Sequence, residues 1–135
     1  MSEALPAPSP GVTLETQPFW DATREERLVL PRCDACGFVI WYPRRFCPAC
    51  GSRDVSWFDA AGTGSVYTYT IVTKGAGTYR DAAPYVVAVV ELDEGPRLMT
   101  NLVEVAVESV FVGQRVAVVF TPTGEGTALP RFRPE

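Results

Sequence analysis

The chain has 135 residues, enough for one domain or one domain with a small appendage, but too few for two full-sized domains. It contains no histidine, which excludes Ser-His-Asp and Cys-His nucleophilic sites, HExxH metalloprotease sites and any zinc site that needs imidazole. Twelve basic and sixteen acidic residues give a formal net charge of -4, so general attraction to a polyanion such as duplex DNA is not expected.

The first sixteen residues contain few side chains that can form a core. Prolines at positions 6, 8 and 10 stand among small residues, so residues 1–16 are predicted to be a disordered leader. This start lacks the basic and apolar regions of a secretory signal, and the longest apolar run in the chain, 85–90, has six residues. A cytoplasmic protein that does not bind membranes is therefore expected.

Residues 17–27 are predicted to form a short N-terminal helix. Pro18 suits the first turn, where its missing N–H is not needed. Phe19 and Trp20 fall on one side of this helix. Two explanations of these aromatic residues remain open, since they can pack into the core of the chain or serve as an exposed anchor for a partner.

Two CxxCG motifs are the strongest chemical signal. Cys33 and Cys36 form the first, Cys47 and Cys50 form the second, and ten residues separate them. Two residues between thiolates let both sulfurs reach one ion, and the glycine that follows can take the positive φ that turns backbone amides toward sulfur. Four thiolates favour a structural Zn²⁺ with no open coordination position, with iron or a redox dithiol as alternatives. Residues 28–58 are therefore predicted to be a zinc ribbon, with 38–42 as one hairpin arm.

Residues 59–135 alternate apolar and polar residues in the manner of β-strands. No interval has room for a crossover helix, so the sheet is antiparallel and closed or nearly closed. The link at 104–114 is too short and too β-branched for the helix that usually plugs one end of an OB barrel, and the N-terminal helix is the candidate cover. The predicted strands are 66–72, 85–92, 97–103, 115–121 and 129–132.

The predicted fold class is thus all-β with a short N-terminal helix. A zinc ribbon precedes a five-stranded OB-fold barrel that lacks the usual helix between its third and fourth strands. Such modules occur in nucleic-acid binders, but residues 81–130 carry seven acidic residues against two arginines, a balance of -5. A single-strand binder needs a basic groove with exposed aromatics, so this charge does not favour that class.

An ordered set of motifs spans nearly the whole chain, over about residues 17–134. They are Pro18-Phe19-Trp20, Leu30-Pro31-Arg32-Cys33, Cys36-Gly37, Tyr42-Pro43-Arg44, Cys47-Pro48-Ala49-Cys50-Gly51-Ser52, Gly62-Thr63-Gly64-Ser65-Val66, Pro84-Tyr85-Val86-Val87, Glu91 to Arg97 and Gly113 to Pro134. This set resembles the DUF35 family, a rubredoxin-like zinc ribbon followed by an OB fold. The resemblance implies zinc at all four cysteines and an acyl-CoA context, as small subunits or fused domains of thiolase-like enzymes, including aldolases of steroid side-chain degradation.

The favoured function is a noncatalytic accessory subunit that binds a thiolase-superfamily partner acting on acyl-CoA substrates. The chain is not expected to be an enzyme on its own, because a histidine-free sequence with a closed metal site offers no evident nucleophile and base. Two alternatives remain, a free-standing acyl-CoA-binding protein and a single-stranded nucleic-acid-binding module.

Two groups of residues are candidates for contact with a ligand or partner. Coenzyme A needs cations for its phosphates and a flat surface for adenine, and Arg44 and Arg45 beside Trp41 and Tyr42 offer both. Alternatively, the two arginines belong to a solvated face and the two aromatic residues pack within the ribbon. The glycine-bearing loop 74–80 resembles no phosphate-binding motif and is either a flexible turn or a contact to a ligand or partner. Partner contacts are assigned to Phe19, Trp20, Lys74, Tyr79 and Arg80.

Overall fold

The computed structural model describes residues 5–135, and the first four residues of the predicted leader lie outside the described range. Within that range the chain forms one short α-helix and seven strands. In chain order they are α1 (Gln17–Thr23), β1 (Val29–Cys33), β2 (Val55–Asp59), β3 (Thr63–Val72), β4 (Tyr85–Leu92), β5 (Arg97–Leu102), β6 (Arg115–Pro122) and β7 (Ala128–Pro134).

The strands form two separate sheets. β1 and β2 pair as an antiparallel two-stranded sheet, while the other five strands close into a barrel with the order β3-β4-β5-β7-β6. All barrel pairs are antiparallel except β5 and β7, which meet in parallel at Leu102 and Phe132. The link between β5 and β6 contains only a 3-10 turn at Val107–Ser109. The prediction of an all-β fold with a five-stranded OB barrel and no α-helix in that link is confirmed.

The alternation of side chains along the strands builds the barrel core. In β4 every second residue is buried, and Val90 is fully inaccessible to solvent, as is Phe132 of β7. Phe19 and Trp20 of α1 belong to the same buried cluster as these barrel residues. α1 packs on both β1 and β7, so this helix joins the ribbon to the barrel.

The predicted helix 17–27 is too long, since α1 ends at Thr23. Glu26 has a φ of 59°, and the Arg27 N–H donates to the carbonyl of Ala22 while the Glu26 N–H donates to that of Thr23. These two bonds close a Schellman turn, which usually has glycine at the left-handed position. Because the sequence places glutamate there, its signal for the end of the helix is weak.

Two further predictions differ from the structure. The expected hairpin arm 38–42 is not a regular strand and has a single bridge, between Arg32 and Val39, because the strand that pairs with β1 is β2. The predicted disordered leader makes tertiary contacts where it is described, since the Pro6 carbonyl accepts hydrogen bonds from Tyr79 and Arg131. Within residues 5–135 the single α-helix has seven residues, and no helix there can cross a membrane.

Candidate metal centre

The two cysteine motifs fold into nearly identical knuckles. In the first, the Cys33 carbonyl accepts from the Gly37 N–H at 2.8 Å and the Cys33 N–H donates to Phe38. In the second, the Cys47 carbonyl accepts from the Gly51 N–H at 2.8 Å, and the Cys47 N–H donates to the Ser52 carbonyl. Gly37 and Gly51 have φ values of 83° and 81°, the left-handed conformation that the CxxCG pattern predicts.

The knuckles aim four sulfur atoms at one point. Cys33 Sγ lies 3.6 Å from Cys50 Sγ, Cys36 Sγ lies 3.7 Å from Cys47 Sγ, and all four sulfurs lie within 4.8 Å of one another. A zinc tetrahedron with bonds of about 2.3 Å has sulfur atoms about 3.8 Å apart. The four thiols therefore fit Zn²⁺, and the first cysteine of each knuckle is buried while the second is exposed.

Backbone amides and neighbouring thiols set the protonation of this cluster. The amides of Cys36 and Ala35 lower the pKa of Cys33 to about 7, although burial opposes them. For Cys36 the Phe38 amide lowers the pKa, but burial and the adjacent thiols outweigh it and raise the pKa to about 12. The thiols therefore do not all ionise at neutral pH by themselves, and a divalent cation supplies the charge that deprotonates the set.

This arrangement is a structural zinc site. Cys33, Cys36, Cys47 and Cys50 provide the four ligands of a tetrahedral ion, which leaves no position for substrate or water. The metal joins the two knuckles across the ten intervening residues, which have no regular secondary structure apart from one bridge. Its role is to hold the ribbon in its fold.

The residues predicted to contact coenzyme A divide into two groups. Trp41 packs edge-on against Phe19, with ring centroids 5.3 Å apart, and the Tyr42 hydroxyl accepts from Trp20 Nε1 at 2.9 Å. This pair lines a hollow near β5 and β7. The structure does not bring it together with the arginines, whose exposed side chains line a different groove.

That groove, which we call the arginine groove, also contains residues that the predicted coenzyme A site did not include. Arg44 and Arg45 line it together with Arg53 and the half-buried ring of Trp57. Trp57 reaches the groove through the pairing of β2 with β1, where it lies opposite Pro31. Such long-range pairing leaves no local sequence signal.

The residues predicted to contact a partner also have different environments. Phe19 is 1% exposed and Trp20 is 8% exposed, so both are core residues and neither is available as an exposed anchor. Lys74 and Arg80 are exposed in the loop before β4. Tyr79 is half-buried, with its hydroxyl 3.3 Å from the Pro6 carbonyl.

A sealed four-thiolate ribbon joined to an OB barrel defines the class of protein, a metal-stabilised module. Comparison with known proteins gives the same two parts in the same order. The rubredoxin-like zinc ribbon domain of ChsH2 matches residues 20–56, and the C-terminal OB-fold domain of ChsH2 matches residues 57–121. A DUF35 domain-containing scaffold protein of Pyrococcus furiosus is 34% identical over 110 residues, which are 81% of this chain and 80% of that protein. The chain belongs to the DUF35 family.

Other relatives differ in length or in sequence. A probable enoyl-CoA hydratase alpha subunit of Thermomonospora curvata is 40% identical over 127 residues, but the chain spans only 40% of that protein's length. A solved structure titled Ltp2-ChsH2(DUF35) aldolase has a TM-score of 0.83 and 38% identity, covering 93% of this chain and 98% of that one. A DUF35 protein of Sulfolobus solfataricus, with a TM-score of 0.66 and 15% identity, shares the fold.

Proposed function

We propose that this chain is a noncatalytic subunit that binds a thiolase-superfamily enzyme acting on acyl-CoA substrates. The observation that carries the proposal is the sealed metal centre, which has four protein ligands in a chain without histidine. Such a centre stabilises a fold and offers no nucleophile activated by a base. The likeness to the chain in the Ltp2-ChsH2(DUF35) aldolase structure supports a subunit of an aldolase or acyltransferase complex.

A patch at the rim of the barrel is the surface that we assign to the partner. It consists of Tyr67, Phe111 and Val112, which are 48%, 57% and 64% exposed. The Gly113 N–H donates to the Val66 carbonyl at 2.8 Å, and this bond places Val112 beside Tyr67. Clustered exposed apolar side chains of this kind are typical of protein interfaces. The exposed Lys74 and Arg80, in the loop between β3 and β4, are proposed as a second contact to the partner.

The arginine groove is assigned to coenzyme A. Its cavity of about 390 Å³ is lined by Arg44, Arg45, Arg53 and the indole of Trp57. Glu15 also lines it, and its carboxylate accepts a hydrogen bond from the Arg45 N–H at 3.1 Å. Guanidinium groups bind phosphate oxygens in pairs, and an indole face can stack on adenine. This grouping retains the two arginines of the original prediction and replaces Trp41 and Tyr42 with Trp57 as the aromatic surface.

An enoyl-CoA hydratase is the second candidate partner. The Thermomonospora curvata relative, named a probable hydratase alpha subunit, aligns with 94% of this chain. Both candidate partners, the thiolase-like enzyme and the hydratase, act on acyl-CoA substrates. The proposed role of this chain as a noncatalytic subunit is therefore the same with either partner.

Co-expression with defined partners tests the proposal. The tagged chain is expressed with each thiolase-like and each hydratase-like protein of the same genome, and the eluate is analysed by gel filtration with light scattering. We expect a stable complex with a thiolase-like protein, and Phe111→Asp should weaken it at least tenfold. Leu14→Asp is the control, since Leu14 is 73% exposed but lies beside the arginine groove. Failure of every thiolase-like protein to co-elute at micromolar concentration would contradict the proposal.

A further inference from the structure

Arg131 is a buried cation that the metal centre and the proposed interface do not use. It is 3% exposed, although its neighbour Phe132 points into the barrel and Arg131 must therefore point out of it. The leader and the loop before β4 cover it there. Its Nη2 donates to the Pro6 carbonyl at 2.5 Å and to the Tyr79 hydroxyl at 3.2 Å.

This guanidinium lacks a negative partner within the described residues. None of the ion pairs in residues 5–135 involves Arg131, and both of its hydrogen bonds use Nη2 and a neutral oxygen. Burial lowers the pKa of Arg131, and the nearby Tyr79 opposes that effect. A buried charge without a counter-charge is costly, so a neutral carbonyl is a poor substitute for a carboxylate at this position.

Arg131 lines a hollow, and its Nε and Nη1 have no hydrogen-bond partner among residues 5–135. Among residues 5–135, one side-chain oxygen or nitrogen is both completely buried and without a hydrogen-bond partner, and it belongs to Glu94. Nε and Nη1 of Arg131 have no partner either, so they are not completely buried. The hollow has a volume of about 360 Å³, and its wall combines apolar side chains with polar groups, among them Glu104, whose carboxylate forms an ion pair with Arg133. That wall includes Leu5, Val105, Val107 and Phe120.

We propose that this hollow binds a small carboxylate with an unbranched apolar chain, the carboxylate on Arg131 and the chain against Val105, Val107 and Phe120. A guanidinium can hold a carboxylate by two parallel N–H bonds, either through Nη1 and Nη2 or through Nε and Nη2. Both arrangements use Nη2. The ligand therefore displaces either the Pro6 carbonyl or the Tyr79 hydroxyl from Nη2. The site requires no partner protein.

The shape of the hollow favours a small molecule over an acidic side chain of another protein. A volume of about 360 Å³ lies in the range of small-molecule sites, and such sites combine an apolar wall with a few polar groups. An aspartate or glutamate has too few methylene groups to fill the apolar part. A longer unbranched chain fills the apolar part and brings one negative charge to the single cation.

Calorimetric titration of the full zinc-loaded chain with octanoate tests this site. We expect saturable binding with one octanoate per chain, and 1-octanol, which has the same chain without the charge, should bind at least tenfold more weakly. Arg131→Met should reduce octanoate affinity at least tenfold, whereas Arg97→Met is the control and should change it less than twofold. Arg97 is exposed on β5, forms an ion pair with Glu91 and is not among the residues that line the hollow.

Four results would overturn the proposal. They are no saturable heat with octanoate, equal affinity for octanoate and octanol, an equal loss in the two arginine variants, and a peptide with a single glutamate that binds as tightly as octanoate. The octanol comparison uses the unmodified chain, so it holds even if Arg131→Met fails to fold. Glu3 lies outside the described residues and requires its own test, because tenfold tighter octanoate binding by Glu3→Gln would assign Arg131 to the chain's own leader.

Discussion

At the scale of single residues, function is concentrated in side chains whose positions the local backbone fixes. Each cysteine pair is held by the same three-part device, an amide bonded to sulfur, a glycine with positive φ and a bond that closes the turn. The Cys36 N–H lies 3.4 Å from Cys33 Sγ, and the Ala49 N–H lies 3.3 Å from Cys47 Sγ. Loss of one ligand should therefore affect the whole ribbon.

Cys47→Ser should release zinc and unfold the ribbon, because a serine hydroxyl is a poor zinc ligand and the binding energy of a structural metal is folding energy. Metal analysis should find about one zinc in the unmodified chain and well below half in the variant, with a lower melting temperature. Ser52→Ala is the control, since its hydroxyl only accepts from the Asp54 N–H and should leave zinc in place. Full zinc occupancy in a folded Cys47→Ser variant would be inconsistent with this assignment.

Arg44→Ala combined with Arg45→Ala should leave folding intact, because both side chains are exposed, and should weaken coenzyme A binding by the partner complex at least tenfold. Equilibrium binding of coenzyme A to the complex measures this effect. Arg24→Ala removes another exposed cation and serves as the control. Unchanged affinity in the double variant would remove coenzyme A from the arginine groove.

Residue identity predicted the metal ligands because the CxxCG motif determines its geometry within five residues. The same reasoning could not place Trp57 next to Arg44 and Arg45 in the arginine groove, since that neighbourhood depends on how the ribbon folds around the pairing of β1 with β2. It also could not show that Arg131 is buried. Alternation along β7 places Arg131 outside the barrel, and the leader and the loop before β4 cover it.

At the scale of elements, two contacts hold separate parts of the chain together. Thr23 is completely buried at the end of α1, where its Oγ1 donates to the Trp20 carbonyl at 2.6 Å and accepts from the Ala128 N–H at 3.0 Å. Asp93 lies in the turn between β4 and β5 and accepts hydrogen bonds from Thr63 of β3 and from Arg115 of β6. The first contact docks the helix on β7, and the second closes one edge of the barrel.

Thr23→Val keeps the shape of the side chain but leaves the buried Ala128 N–H without an acceptor. We expect a loss of about 1–3 kcal/mol in the free energy of unfolding, the usual cost of an unsatisfied buried donor. Urea denaturation followed by tryptophan fluorescence measures it. Thr70→Val, at an exposed position of β3, should change the same quantity by less than about 0.5 kcal/mol. Equal effects of the two substitutions would show that the Thr23 contact does not dock α1.

Asp93→Asn should flatten the acid side of the stability profile. Arg115, then Thr63, lower the pKa of Asp93 from 3.8 to about 2, so the folded state binds this proton less readily than the unfolded state does. The stabilisation is complete above the unfolded pKa and is lost as the pH falls from about 4 to about 2. The difference in melting temperature between the unmodified chain and Asp93→Asn should therefore shrink over that interval.

The measurement is the difference in melting temperature between the unmodified chain and Asp93→Asn at each pH. Both proteins lose zinc in acid, so this difference isolates the effect of the Asp93 carboxylate. Asp21→Asn is the control, since Asp21 has no ion pair within residues 5–135. A constant difference from pH 7 to pH 2 would show that Asp93 contributes nothing through its charge.

Element positions followed from the sequence wherever side chains alternate strictly, as in β4, whose predicted bounds 85–92 are those observed. They failed where non-local contacts decide. β2 was not predicted because its five residues gain strand geometry only by pairing with β1. The helix end was wrong because glutamate at position 26 adopts a conformation that glycine usually marks.

At the scale of the whole molecule, a metal-stabilised ribbon and a closed barrel share one core through α1. Of the surfaces described, the barrel-rim patch faces solvent, the arginine groove carries positive charge, and Arg131 lies under the leader. The order of ribbon and barrel was predictable from motif spacing and strand alternation. The parallel meeting of β5 and β7 and the path of the leader depend on how the finished barrel closes, so the sequence pattern does not determine them.

We propose that the chain acts by binding an enzyme and performs no chemistry itself. The most direct test is acyl-CoA turnover measured for the chain alone, for its co-purified thiolase-like partner alone, and for the two together. We predict no turnover by the zinc-loaded chain, and at least tenfold higher activity for the complex than for the partner alone. Thioester turnover by the pure chain, at a rate that scales with its concentration, would contradict the account.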